Sequence, residues 1–219
     1  MLVNANFAER VVIRPGDVEW TPSPTPGVLR QLLDRVGDEV ARATSFVRYV
    51  PRSRFPAHTH GGGEEFLVLE GIFFDESGEY PAGHYVRNPI GSHHAPYTEG
   101  GCTIFVKLRQ FDPADGGHVA IDTRAAEWHE DAARGVQVLP LHAFGEERVV
   151  LERWPAGTRM PPHDHDGGEE MLVLEGTLHD EHGLYPAGTW MRSPHGSRHA
   201  PSTGEGCVVY LKSGHLPRG

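Results

Sequence analysis

One stretch of this sequence occurs twice, and the duplication constrains the fold more than any other feature. Residues 56–71 read PAHTHGGGEEFLVLEG, and residues 161–176 read PPHDHDGGEEMLVLEG. Residues 58–107 and 163–212 align without a gap at an offset of 105 and are identical at 29 of 50 positions. Because solenoid repeats have periods of only about 20–50 residues, this offset indicates a duplicated whole domain. We therefore predict two tandem domains, residues 1–110 and 111–219.

Each copy carries the same set of three histidines and one glutamate. The predicted metal ligands are His58, His60, Glu64 and His94 in the first copy and His163, His165, Glu169 and His199 in the second. Even spacings place the first three side chains of a set on one face of an extended strand, and the last histidine arrives from another strand. Neutral imidazole and carboxylate groups suit zinc, iron, manganese, nickel or copper. Solvated surface histidines are the weaker hypothesis, because four ligand positions recur at one spacing.

The remaining pattern favours an all-β protein. Residues 28–36, VLRQLLDRV, have the apolar spacing of a helix face. The equivalent segment VQVLPLHAF contains Pro140, which the interior of a helix resists, so we predict a strand in both copies. Short strands separated by turns rich in glycine and proline predict a sandwich or barrel.

Recurring residues beside the ligands are assigned structural roles. Glu65 and Glu170 follow the ligand glutamates, and strand alternation points them away from the metal and favours an ion pair. Arg87 and Arg192 also recur, and we expect them to pair with the acidic surface rather than to anchor an anion.

Charge and cysteine content exclude several classes of protein. The formal net charge of −10 and the lack of a lysine and arginine cluster argue against a nucleic-acid partner. The sequence has no apolar run of about 18 residues and no signal-peptide pattern, so we expect no membrane association. Cys102 and Cys207 fall one in each domain, where we expect buried, inert thiols in a reduced, cytoplasmic protein.

Two motifs carry a resemblance to a known superfamily. HTHGGGEEFLVLEG fits the first cupin motif and GHYVRNPIGSHHAP fits the second, and both motifs are complete in both copies. The chain therefore resembles a bicupin, with two tandem double-stranded β-helix (jelly-roll) barrels. GGEEFLVLEG, FDESGEYPAG and GSHHAP are moreover similar to the cupin lobe of the ChrR family of anti-sigma factors. That resemblance implies one divalent metal per domain, with zinc expected first and iron, manganese or nickel as alternatives.

Three functions are compatible with this sequence. The ChrR resemblance implies a regulatory or stress-sensing role, although the His-x3-Cys-x2-Cys motif with which that family binds its sigma factor is not in this sequence, so a sigma-factor partner is unsupported. The alternatives are a metal-dependent dioxygenase that cleaves a small diketone- or flavonol-like substrate, and a non-enzymatic binding or structural bicupin. No serine or cysteine stands with a histidine in a nucleophilic arrangement, so catalysis would depend on the metal. A small-molecule ligand and a homodimer both remain open.

Overall fold

A computed structural model describes residues 1–218, which form two compact β units. Unit 1 contains residues 1–5 and 18–126, and unit 2 contains residues 6–17 and 127–218. The strands of unit 1 are β1 (Leu2–Val3), β3 (Thr21–Pro22), β4 (Val28–Gly37), β5 (Ala41–Tyr49), β6 (His58–Thr59), β7 (Glu64–Asp75), β8 (Gly78–Pro81), β9 (His84–Asn88), β10 (His93–His94), β11 (Cys102–Leu108) and β12 (Val119–Asp122). Those of unit 2 are β2 (Val11–Ile13), β13 (His129–Asp131), β14 (Val136–Phe144), β15 (Glu147–Trp154), β16 (His163–Asp164), β17 (Glu169–Asp180), β18 (Gly183–Pro186), β19 (Trp190–Ser193), β20 (Arg198–His199) and β21 (Cys207–Ser213).

Both units have the same antiparallel topology. The main sheet of unit 1 has the strand order β1-β4-β5-β11-β7-β9-β12, and a second, two-stranded sheet pairs β6 with β10. Unit 2 has the order β13-β14-β15-β21-β17-β19-β2 and the pair β16-β20, and β13 occupies the position of β3, which also pairs with β4 in unit 1. The predicted fold, all-β with two tandem jelly-roll barrels, is confirmed. Within residues 1–218, no helical segment has the length and apolar character needed to cross a membrane.

The two units exchange their outermost strands. β12 precedes the second repeat in the chain but pairs with β9 of unit 1. β2 precedes the first repeat but pairs with β19 of unit 2. The compact units therefore differ from the predicted division at residues 110 and 111, because residues 6–17 belong to unit 2 and residues 111–126 to unit 1. The segment predicted from its composition to be a linker, residues 109–117, instead places Phe111 and Asp115 in buried positions of unit 1.

The segment with helical spacing is a strand, as the second copy predicts. β4 pairs with β5 over its whole length and contains a β-bulge between Leu32 and Asp34, which leaves Leu33 as the extra residue. The bulge changes the parity of the strand, so that apolar residues on either side of it are separated by three or four positions rather than two. β14 has an equivalent register shift between Pro140 and His142, where the missing amide hydrogen of proline is tolerated.

Each unit has its own apolar core between the sheets. In unit 1, Phe66, Phe73 and Val86 are at most 1 % exposed, and the Phe66 and Phe73 rings lie 4.7 Å apart. In unit 2 the corresponding core is centred on Val173 and Leu178, which have no exposed surface. Truncating a buried phenylalanine such as Phe66 to alanine costs about 3–5 kcal/mol of stability in typical cores. These cores support the strands that carry the candidate ligands.

Candidate metal centres

The four predicted ligands of unit 1 meet in one cluster, the first cluster: His58, His60, Glu64 and His94. β6 and β10 pair with His58 directly opposite His94, and Glu64 is the first residue of β7. His60 Nε2 lies 3.2 Å from both His58 Nε2 and His94 Nε2, and Glu64 Oε2 lies 3.4 Å from His60 Nε2. β6, the turn that follows it, the start of β7 and the more distant β10 therefore direct one carboxylate and three imidazoles at a common point.

Hydrogen bonds at the opposite nitrogen fix the tautomer of each histidine. His58 Nδ1 lies 2.9 Å from Pro56 O, and His94 Nδ1 lies 3.1 Å from a carboxylate oxygen of Asp75. His60 Nδ1 lies 3.0 Å from Ser92 Oγ, which itself donates to Pro89 O. All three partners accept, so each Nδ1 carries the proton and each Nε2 presents a lone pair.

This arrangement fits a metal cation. Three lone pairs and a carboxylate that face one another within hydrogen-bonding distance repel, unless a positive charge lies between them. In the equivalent group of unit 2, the buried Nε2 atoms of His165 and His199 have no hydrogen-bond partner among residues 1–218. Three histidines and a carboxylate match the nitrogen and oxygen ligands of zinc, iron, manganese or nickel.

Unit 2 assembles a second cluster of His163, His165 and His199, whose candidate ligand atoms lie within 4.8 Å of one another. The predicted fourth ligand, Glu169, lies beside this group. Its carboxylate is 3.4 Å from His165 Nδ1 and 4.0 Å from His199 Nε2. The His165 ring thus presents Nδ1 to the glutamate, whereas His60 presents Nε2, and a half-turn of the His165 ring would reproduce the first cluster. The assignment of all eight residues as ligands stays a prediction.

Two aspartates that orient candidate ligands were missed in the sequence. Asp75 accepts from His94 Nδ1, and Asp180 lies 3.3 Å from His199 Nδ1. They occur at the same 105-residue offset, in FDESGEYPAG and HDEHGLYPAG, so the repeat contained the signal. Asp180 is further held by Tyr185 at 2.5 Å and by Arg10 at 3.0 Å.

The electrostatics of the clusters follow from burial and from these carboxylates. Burial lowers the pKa of His60, and although Glu64 opposes this effect, the charges of His94 and His58 add to it. Burial also lowers the pKa of His94, but the bond to Asp75 and the charge of Glu64 outweigh it and raise that pKa above its ordinary value. Burial raises the pKa of Asp180, yet the bonds from His199 and Tyr185 bring it well below the usual range. Asp180 is therefore an anion when it orients His199.

The glycines before each ligand glutamate are required by close packing. Gly63 has a φ of 77°, and a Cβ at this position would lie 2.3 Å from the Phe111 ring. Gly168 has a φ of 68°, and its Cβ would lie 2.6 Å from the Leu216 side chain. Only glycine combines this backbone conformation with such proximity, so the turn between the second histidine and the glutamate is specified by both features.

Glu65 and Glu170 point away from the clusters, as predicted. Glu65 accepts from Arg87, whose second nitrogen lies 2.5 Å from Asp115. Glu170 accepts from Trp190 Nε1 at 3.2 Å and lies 3.1 Å from His215 Nε2.

The expectation that the recurring arginines pair with the acidic surface is wrong. Arg87 and Arg192 are both fully buried. Arg87 bonds to the buried carboxylates of Glu65 and Asp115. Arg192 donates to Asn6 O at 2.9 Å and covers the Phe7 ring. The recurrence therefore reflects interior packing.

Each cluster lies at the wall of a cavity. The cavity of unit 1 has a volume of about 310 Å³ and is lined by His58 and Glu64 together with apolar side chains such as Tyr49 and Phe55. The cavity of unit 2 has a volume of about 480 Å³, and Trp154 is among the residues that line it beside the second cluster. Both volumes are within the range of small-molecule sites, about 300–1,000 Å³.

Comparison with solved structures identifies related folds. A proposed dioxygenase from Nostoc punctiforme has a TM-score of 0.81 at 14% identity, over 95% of this chain and 84% of that chain. A bacterial pirin from Escherichia coli in complex with nickel(II) has a TM-score of 0.70 at 12% identity, over 95% and 99%. A structure of oxalate decarboxylase has a TM-score of 0.62 at 12% identity, over 95% and 78%. At these identities the likeness concerns the fold alone.

Sequence comparison assigns the family. No curated protein is found to match the sequence of this chain. The family described as the ChrR cupin-like domain matches twice, over residues 8–112 and 116–217. These two matches span nearly the whole chain and coincide with the two repeats. The chain therefore belongs to the ChrR cupin-like domain family, of which it carries two copies in tandem.

Proposed function

We propose that each unit binds one divalent metal through its three histidines and its glutamate, and that the metal acts on a small organic molecule held in the adjoining cavity. The observation that carries the proposal is the position of the first cluster, whose ligands His58 and Glu64 form part of the cavity wall. A purely structural metal has no need of such a cavity. Four protein ligands leave up to two positions of an octahedral metal open for water, oxygen or a chelating substrate.

Metal-dependent dioxygenase chemistry is the reaction class that this geometry supports best. The metal would supply a Lewis acid and a redox centre, and the chain would supply orientation and exclusion of water. Ser92 and Asp75 hold the imidazoles in a fixed tautomer, and the apolar wall around Tyr49 and Phe55 limits access of solvent. The proposed dioxygenase from Nostoc punctiforme, which shares the fold, is consistent with this class.

A regulatory or stress-sensing role is the second candidate, and family membership favours it. The match to the ChrR cupin-like domain covers both repeats. In this role a redox-inert zinc ion would occupy each cluster, and its binding or loss would report a cellular signal. The two functions differ in the metal that they require and in whether a substrate is consumed.

Metal analysis combined with an oxygen-consumption assay tests the proposal. Protein purified without added metal and then reconstituted should hold two metals per chain, and His60→Ala and His165→Ala should each retain one. With iron, manganese or nickel in place, oxygen uptake should occur with at least one of a panel of small diketones and flavonols. One equivalent or less in the unmodified chain would contradict two sites. Two zinc ions with no turnover would favour the regulatory role.

A further inference from the structure

The cavities of the two units differ in the sign of the charge that lines them. In unit 1, three arginines (Arg30, Arg35 and Arg109) accompany two carboxylates (Glu39 and Glu64). In unit 2, two arginines (Arg134 and Arg148) accompany four carboxylates (Glu152, Asp164, Asp166 and Glu169). The clusters are alike, so the difference concerns what lies beside the metal rather than the metal itself.

The β-bulge in β4 places two of these arginines on the same face. Arg30 and Arg35 are five residues apart, an odd spacing that puts side chains on opposite faces of a regular strand. Because Leu33 is extra, Arg30 pairs with Val47 and Arg35 pairs with Ala43, which are four residues apart on β5. Both arginines therefore face the cavity, which they line together with Val47.

This pair of cations is incompletely neutralised by the protein. Arg35 is 4% exposed and donates to Asp38 O. Burial together with the nearby charge of Arg30 lowers its pKa, although the charges of Glu39 and Asp38 oppose this effect. Arg30 Nε is buried without a hydrogen-bond partner among residues 1–218. Its Nη1 lies 3.6 Å from Glu39, whose side chain is 70% exposed, a geometry that typically contributes little. Two adjacent guanidinium groups in a concave site favour a bound anion.

Unit 2 reverses the charge at the same positions. The register partner of Val138 is Glu152, whereas the equivalent pair in unit 1 is Arg30 with Val47. Arg35 corresponds to Ala143 in the second repeat. Arg134 is already paired in unit 2, because it donates to Asp131 and to Glu152, each at 2.7 Å. The feature that favours an anion is therefore specific to unit 1.

We propose that the cavity of unit 1 binds a small organic carboxylate, whose anionic group is held by Arg30 and Arg35. This inference deepens the proposed function, on which it rests in one respect, since the same molecule would lie beside the metal of the first cluster. It assigns a ligand class to unit 1 alone. Unit 2, with an acidic cavity wall, takes a neutral or cationic ligand or none.

The test uses the full chain loaded with zinc, freed of excess metal and titrated by calorimetry. Malonate is the probe, malonamide is its uncharged counterpart, and inorganic phosphate is a non-carboxylate anion. We expect malonate to bind with one equivalent per chain and to weaken as salt is raised. Arg30→Val and Arg35→Ala, which install the residues of the second repeat, should each weaken malonate at least about tenfold. Arg54→Ala, at an exposed arginine of the same unit, should leave it unchanged.

A further variant tests the charge of the cavity while both arginines are kept. Val47→Glu places a carboxylate opposite Arg30, as unit 2 does, and should abolish binding without removing either arginine. Equal binding of malonamide, tighter binding of phosphate, two equivalents per chain, or indifference to Arg30→Val and Arg35→Ala would each overturn the proposal. Metal content is measured in the same samples. Two metals without malonate binding defeat this inference only, whereas malonate binding without metal defeats the proposed function only.

Discussion

At the scale of single residues, the protein fixes which nitrogen of each histidine faces the centre of the first cluster. Pro56 O, Ser92 Oγ and Asp75 accept from the three Nδ1 atoms of the first cluster. Such partners raise the basicity of a ligand and hold its ring in place. Asp75 is the only charged acceptor of the three, so its loss should change both the basicity of His94 and the position of its ring.

Substitution of the orienting aspartates should weaken one site at a time. We expect Asp75→Ala to lower the metal affinity of the first site about 10- to 100-fold, because His94 loses its anionic acceptor. Asp180→Ala should do the same to the second site. Competition with a chromophoric chelator measures both sites in one titration. Unchanged affinity in either variant would show that the second nitrogen does not need its partner.

The two thiols should make stability fall in alkaline solution. Burial raises the pKa of Cys102 to about 12 and that of Cys207 to about 11, from an ordinary value near 9. Between pH 9 and its raised pKa, each thiol keeps its proton in the folded state but has lost it in the unfolded state. The free energy of unfolding is therefore highest below about pH 9 and falls as the pH rises, by up to about 1.4 kcal/mol per pH unit for each thiol.

Urea unfolding between pH 8 and 11 measures this effect. A double variant, Cys102→Ala with Cys207→Ala, should show a shallower decline than the unmodified chain. Equal slopes would mean that the thiols ionise as easily in the folded protein as in the unfolded one.

At the scale of elements, the turn between the second histidine and the glutamate determines how the ligands converge. We expect Gly63→Ala to destabilise unit 1 by more than the roughly 1–2 kcal/mol of a left-handed alanine, because its Cβ would also overlap Phe111. The matched control is Gly100→Ala, where a Cβ would meet nothing within 4 Å. Thermal unfolding of the two variants gives the comparison. A Gly63→Ala protein as stable as the control would disprove the steric argument.

The sequence predicts most of the strands and the candidate ligands. The same physical reasons explain which features it does not predict. The strand assignment of β4 depends on Pro140 in the second copy, since the bulge at Leu33 gives β4 itself helical spacing. The ligands are predictable because imidazoles and carboxylates recur at one offset. Asp75 was missed because an aspartate in a hairpin is ordinary unless the repeats are compared at that position.

At the scale of the whole molecule, each unit is completed by a strand that lies outside its own repeat. Val119–Asp122 pairs with β9, and Val11–Ile13 pairs with β19. A pattern of apolar residues specifies that these segments are strands but does not specify which sheet edge they join. The predicted division at residues 110 and 111 thus matches the period of the sequence. The strand pairing differs, because β12 and β2 each pair with a strand of the other repeat.

Dividing the chain should therefore expose this exchange. We expect fragment 1–110, which lacks β12 and the buried Asp115, to unfold at a lower temperature than fragment 1–126, which contains both. Fragments 1–110 and 111–219 should recover stability when mixed, because each carries a strand that the other lacks. Size-exclusion chromatography and thermal unfolding measure the result. Equal melting of fragments 1–110 and 1–126, with no gain on mixing, would contradict the exchange.

The exchange of β2 also determines the order in which the protein can assemble during translation. Val11–Ile13 leaves the ribosome well before its partner Trp190–Ser193. About 180 residues separate them, which corresponds to roughly 10–40 s at about 5–20 residues per second. During that interval a Val-Val-Ile segment has no sheet to join, although unit 1 has all its strands once Asp122 has emerged. The nascent chain is thus exposed at Val11–Ile13 to chaperones and to misassembly until Trp190–Ser193 has been synthesised.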